Sequence, residues 1–153
     1  MLSFFFYPGY SRSRGGARTC LPEDQILAKI LLVEDHPDLR HVLGRQLECM
    51  GFTAITAKNG REGIETAVAE KPDLILMNSV MPEMDGWEAT RILRADPQTK
   101  DIPILASTAL FRPSDLKAWI DVGCNDYILK PFTLDELLRK ITALIRLCPS
   151  PKG

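Results

Sequence analysis

The chain has 153 residues, 45% of them hydrophobic and 25% charged, with a formal net charge of −1. That length suits one domain and is too short for two well-packed ones. The near-neutral balance argues against a nucleic-acid footprint or a basic membrane-binding face, and no apolar run reaches the length of a membrane span. The four cysteines, Cys20, Cys49, Cys124 and Cys148, form no CxxC pair, and His36 and His41 offer no zinc-like spacing. They read as reduced thiols of a cytoplasmic protein.

Residues 1–27 read as a disordered tail. The opening MLSFFFYPGY has a short apolar patch, but no basic residues precede it and Pro8-Gly9 interrupt it, which makes a poor signal peptide. SRSRGGART is basic, small and aperiodic. From Lys29 the pattern turns regular, and residues 28–148 read as one domain. KILLVE is a first strand. A helix follows Pro37, with Leu39, Val42, Leu43, Gln46, Leu47 and Met50 at helical spacing, and ends at Gly51. FTAIT is a second strand and GREGIETAVAEK a short amphipathic helix stopped by Pro72. DLILMN is a third strand. Asp85 opens a helix with Ala89, Ile92 and Leu93 on one face. IPILAS is a fourth strand, PSDLKAWIDVG a helix with Leu116, Trp119 and Ile120 inward, and DYILK a fifth strand. The last helix starts at Thr133, with Glu136 three residues on in a capping-box pattern, and carries Leu134, Leu137, Leu138, Ile141 and Ile145 as its core stripe. Residues 149–153 are a short C-terminal tail.

Five β-α alternations imply an α/β fold, with a parallel sheet covered by helices on both faces. The doubly wound five-stranded order 2-1-3-4-5 fits best, and its functional crevice lies at the carboxyl ends of the strands, by the switch between strands one and three. Those ends carry Glu34-Asp35, Asn78, Ser107-Thr108 and Lys130. Two carboxylates and an amide suit a hard cation such as Mg²⁺, and a lysine and a hydroxyl opposite could hold phosphoryl oxygens. Singly, each has a bland reading as surface charge or helix cap. Their joint placement at four strand ends is much harder to reach by chance.

The stretches ILLVEDHPDLR, KPDLILMNSVMPEMDGWEATRILR, IPILASTAL and GCNDYILKPF resemble the receiver domain of two-component response regulators, of the stand-alone kind related to chemotaxis and phosphorelay regulators. The resemblance covers residues 29 to about 147 and implies a flavodoxin-like fold with five helices. It implies that Asp35 is a direct Mg²⁺ ligand, that Glu34 helps through water, and that the backbone carbonyl of Val80 is another ligand. Thr108 would be the switch hydroxyl, Lys130 would pair with the phosphoryl group, and the Lys130–Pro131 peptide would be cis. Tyr127 would be the switch aromatic of the partner surface formed by helix four, strand five and helix five.

One position departs from the pattern. The family carries an aspartate at the end of strand three, and its carboxylate accepts phosphate from a histidine kinase. Here the residue is Asn78. A neutral carboxamide oxygen is a far weaker nucleophile than a carboxylate, and the lost charge should weaken Mg²⁺ binding. Ser79 is a poor substitute, because alternation along the strand turns it away from Asn78. The sequence leaves two origins for Asn78, a natural pseudo-receiver or an acceptor-blocked variant.

The resulting expectation is a single-domain receiver that is not an enzyme. It would act by contact with a sensor histidine kinase, a histidine phosphotransferase or a downstream target, and not with nucleic acid or membrane. The alternatives are an interaction scaffold with a vestigial site and, less favoured, a phosphatase-like enzyme. The latter needs a second acid two residues after the first, where this chain has Val80. Trp87, Trp119 and Cys124 read as packed residues, and His41 as a solvated one.

Overall fold

The computed structural model describes residues 28–109 and 112–147. The expected tails, 1–27 and 149–153, lie outside the described residues. Five strands alternate with five helices: β1 Lys29–Val33, α1 Pro37–Cys49, β2 Thr53–Ala57, α2 Gly60–Glu70, β3 Leu74–Asn78, α3 Gly86–Ala95, β4 Ile104–Thr108, α4 Pro113–Asp121, β5 Asp126–Leu129 and α5 Leu134–Leu147. All strand pairs are parallel and the order is β2-β1-β3-β4-β5, as expected.

Successive side chains of a strand point to opposite faces, and here both faces are apolar. Leu31, Val33, Ile75 and Met77 pack with Ala67 of α2, Ala89 and Leu93 of α3 and Trp119 of α4. Ile30, Leu32, Leu74 and Leu76 pack on the other side with Leu47 of α1 and with Leu137, Ile141 and Leu144 of α5. That is why β1 and β3 read as unbroken hydrophobic runs.

Helix ends follow the cap chemistry. Asp85 caps α3 by accepting from the Glu88 amide at 2.9 Å, Asn59 caps α2 by accepting from Glu62 at 2.8 Å, and Thr133 Oγ1 accepts from Glu136 at 3.1 Å. Gly86 marks a close approach. A Cβ there would lie 2.2 Å from the Asn78 carbonyl oxygen and 3.0 Å from the Trp119 ring, so only glycine lets α3 start against the end of β3.

Four apolar helix residues picked out by helical spacing, one of them (Ile120) expected inward, are exposed. Leu39 and Val42 of α1 are 52% and 50% accessible, and Ile92 and Ile120 are also exposed. On α1 only Gly44 and Leu47 are buried, because the helix meets the sheet along a stripe narrower than its apolar face. Trp119 is fully buried, with Trp87 against it edge-to-face at 5.3 Å between ring centroids. Cys124 is buried, and His41 is exposed as expected.

Candidate functional site

The register brings the strand ends to one level. Val33 faces Met77, Asn78 faces Ser107, and Thr108 faces Leu129, so the next residues, Glu34 on one side and Lys130 on the other, flank Asn78 at the sheet's carboxyl edge. Asn78 is 7% exposed, and Glu34 and Thr108 are buried as well. Lys130 is joined to the edge through its backbone, its amide donating to the Thr108 carbonyl at 2.8 Å. The Lys130–Pro131 peptide is cis, as expected.

Asn78 is the hub. Its Nδ2 donates to Glu34 Oε1 at 3.2 Å, to Asp35 Oδ1 at 3.1 Å and to the Val80 carbonyl at 3.1 Å. Its Oδ1 accepts from Lys130 Nζ at 2.8 Å. Lys130 Nζ also lies 3.7 Å from Glu34 Oε2. The structure therefore sets Glu34 and Asp35 on one side of Asn78 and Lys130 on the other, at the strand ends the sequence pointed to, and adds the Val80 carbonyl that the resemblance implied to the acidic side. Thr108 is at the adjacent end of β4. Tyr127 stands apart on β5, half-buried, with the Lys140 ammonium 5.5 Å from its ring centre and Lys140 bonded to Asp126 at 2.8 Å.

Burial, the largest influence, pushes the Glu34 carboxyl above its ordinary value. The His36 backbone amide and the Lys130 charge act in the opposite direction, while Asp35 adds to the rise.

Two residues of the site were not evident beforehand. Arg40, one turn into α1, donates from Nη1 to the Glu34 carbonyl at 2.8 Å and the Asp35 carbonyl at 3.2 Å, which pins the acidic loop. The His36 amide donates to Glu34 Oε1 at 3.1 Å and orients that carboxylate. Only the position of Arg40, five residues after Asp35, hinted at the first. Backbone amides carry no sequence signal, so nothing hinted at the second.

Residues 30–142 match the family described as the response regulator receiver domain. The chain belongs to that family. It is 38% identical over 120 residues to the protein PilH of Pseudomonas aeruginosa, covering 78% of this chain and 98% of PilH. It is 36% identical over 120 residues to the DNA-binding dual master transcriptional regulator RpaA of Synechocystis, covering 78% of this chain. The chain spans about half the length of RpaA and of the MprA response regulators it also matches. Among solved structures, the chemotaxis protein CheY4 of Vibrio cholerae has a TM-score of 0.73 at 30% identity, over 77% of this chain and 98% of that one. The receiver domain of a Pseudomonas aeruginosa sensor histidine kinase also has a TM-score of 0.73, at 34% identity, over 78% of this chain and 98% of that one. It is described with a magnesium ion coordinated in its active site cleft.

Receiver domains bind Mg²⁺ in this cleft, so the fit of the residues here can be tested. Glu34 Oε1, Asp35 Oδ1 and the Val80 carbonyl converge within 3.2 Å of one atom, and as hard oxygens they suit the ion. The atom they converge on is the Asn78 amide nitrogen, which donates and cannot ligate. Among the described residues no cluster of three or more His, Cys, Asp or Glu is placed to hold a metal. The oxygen set fits; Asn78 as oriented does not. No helix of the described residues is long and apolar enough to cross a membrane.

Proposed function

We propose that this receiver domain works in two-component signalling by protein–protein contact, without accepting a phosphoryl group. One observation carries the reading. The group at the acceptor position is a carboxamide whose oxygen is held by Lys130 and whose nitrogen donates to the acids around it. A carboxamide nitrogen with its lone pair delocalised is no nucleophile, and the oxygen lacks the negative charge that lets a carboxylate attack phosphorus. Ser79 is buried, and the alternation of side chains along an extended strand turns it away from Asn78. The Val80 side chain is exposed and brings no second acid, so the phosphatase-like alternative has no supporting group.

On this reading the protein is a binding module and not an enzyme, located in the cytoplasm. Its partner is a sensor histidine kinase, a histidine phosphotransferase or a downstream target protein, engaged through the face of α4, β5 and α5 that carries Tyr127. Mg²⁺ binds more weakly than it would to a site with three acids.

The test is intact mass after treatment with acetyl phosphate and Mg²⁺, for the protein and for Asn78→Asp. The protein should gain no phosphate, and the variant should gain one, because on this reading Glu34, Asp35, Thr108 and Lys130 supply the rest of the phosphotransfer apparatus. Phosphate on the asparagine form would overturn the nucleophile argument and point to Ser79. A variant that takes none would mark the crevice as a scaffold's vestige.

A further inference from the structure

We propose that the Asn78 carboxamide closes the crevice to divalent cations by placing its own N–H groups on the oxygens a cation would use, and that Lys130 is the latch that keeps it there. The inference rests on reading this cleft as a receiver site, and it goes further than a missing negative charge. A neutral amide could still ligate through its oxygen. Here the oxygen faces the other way.

Which end of an amide carries the nitrogen follows from its neighbours. On one side of Asn78 lie three acceptors, Glu34 Oε1, Asp35 Oδ1 and the Val80 carbonyl, at 3.1–3.2 Å from Nδ2. On the other lies a cationic donor, Lys130 Nζ, at 2.8 Å from Oδ1. Turned over, the amide would set its NH₂ against an ammonium and its oxygen against two carboxylates and a carbonyl. The observed orientation satisfies both ends. The amide has two hydrogens for three acceptors, so the three oxygens share them around the point where they converge.

A cation at that point needs the amide nitrogen to leave. If Asn78 is to contribute its oxygen, the side chain must rotate by half a turn, which breaks the bonds to Glu34, Asp35 and Val80 and the charge-assisted bond to Lys130 together. The displaced Lys130 would still stand beside Glu34, only 3.7 Å away, and its charge would oppose the incoming cation. Cation entry and the Asn78–Lys130 bond are therefore mutually exclusive. The domain keeps its crevice in one hydrogen-bonded state whether or not Mg²⁺ is present, and any surface coupled to the crevice is independent of the metal.

Calorimetric titration of Mg²⁺ into the protein and into Lys130→Met tests this, with the side-chain amide resonances of Asn78 followed by ¹⁵N NMR. Methionine keeps much of the stem's bulk and removes the donor and the charge. A charge-assisted hydrogen bond of ordinary strength corresponds to about 10–100-fold in affinity, and Lys130→Met should bind Mg²⁺ tighter by that factor, with the Asn78 NH₂ resonances shifting on addition. In the parent those resonances should be protected from exchange and unmoved by millimolar Mg²⁺. Equal affinity in the two proteins would overturn the latch. So would tighter binding by Lys130→Met with the Asn78 resonances unmoved, because the acids would then hold the ion without the amide turning. If Lys130→Met does not fold, the parent decides: Asn78 NH₂ resonances that exchange freely or shift with Mg²⁺ refute the proposal, and protected, unmoved ones support it. None of these readouts involves phosphate uptake, so the latch and the acceptor reading fail separately.

Discussion

Replacing Asn78 by aspartate should cost stability when no metal is present, and Mg²⁺ should restore it. The substitution puts a carboxylate oxygen where Nδ2 now donates, 3.2 Å from Glu34 Oε1 and 3.1 Å from Asp35 Oδ1. At an effective dielectric constant of about 20, two unit charges this close repel by roughly 5 kcal/mol. Two such repulsions stand against one attraction of about 6 kcal/mol to Lys130, 2.8 Å from Oδ1. The remainder is about 4 kcal/mol, and proton uptake by one of the three acids limits it to about 2–4 kcal/mol. For a chain of this size the thermal midpoint should fall by roughly 5–15 °C in the presence of a chelator. Mg²⁺ at about 100 times its dissociation constant should return about 2.7 kcal/mol. Thermal unfolding of both proteins, with chelator and with Mg²⁺, reads all four values. A variant as stable as its parent in chelator, or a parent that gains as much from Mg²⁺, would refute the reasoning that Asn78 already fills the cation's place.

Two further predictions concern the surroundings. Gly86→Ala should destabilise the fold by about 3 kcal/mol or prevent folding, because the added methyl would sit 2.2 Å from the Asn78 carbonyl oxygen, a backbone atom that cannot turn aside; a loss below about 1 kcal/mol in urea unfolding would contradict it. Burial, with Asp126 adding and Arg94 opposing, pushes the Cys124 thiol from 9.0 up to about 12. A raised thiol pKa means that the unfolded chain loses this proton first, so the contribution is fully present below about pH 9 and is lost as pH rises towards 12. The loss should approach about 1.4 kcal/mol per pH unit, and Cys124→Ala should flatten that part of the curve; parallel stability profiles above pH 9 for parent and variant would rule this out.

The order of elements and the meeting of Glu34, Asp35, Asn78 and Lys130 were legible in the chain, because both depend on local pattern plus a topology with few alternatives. A run as short as Leu74–Met77 between turn signals reads as a strand buried on both faces, and right-handed crossovers then bring the strand ends together. That residue 78 is a carboxamide and not a carboxylate is read from the sequence alone. Helix facing was less legible: Leu39, Val42, Ile92 and Ile120 stay exposed, because they stand roughly 100° or more round their helices from the centre of the buried residues, and only packing against the sheet decides which side of a broad apolar face is covered. The roles of Arg40 and the His36 amide, and the need for glycine at 86, arise from contacts to backbone atoms, which no residue pattern announces. The direction of the Asn78 amide belongs to the same class. The sequence by itself determines that a carboxamide stands there; only the folded arrangement, with three acceptors on one side and Lys130 on the other, decides that its nitrogen faces the acids. A side-chain torsion is chosen by partners brought from 44 and 52 residues away, and those partners exist as neighbours only once the sheet has formed.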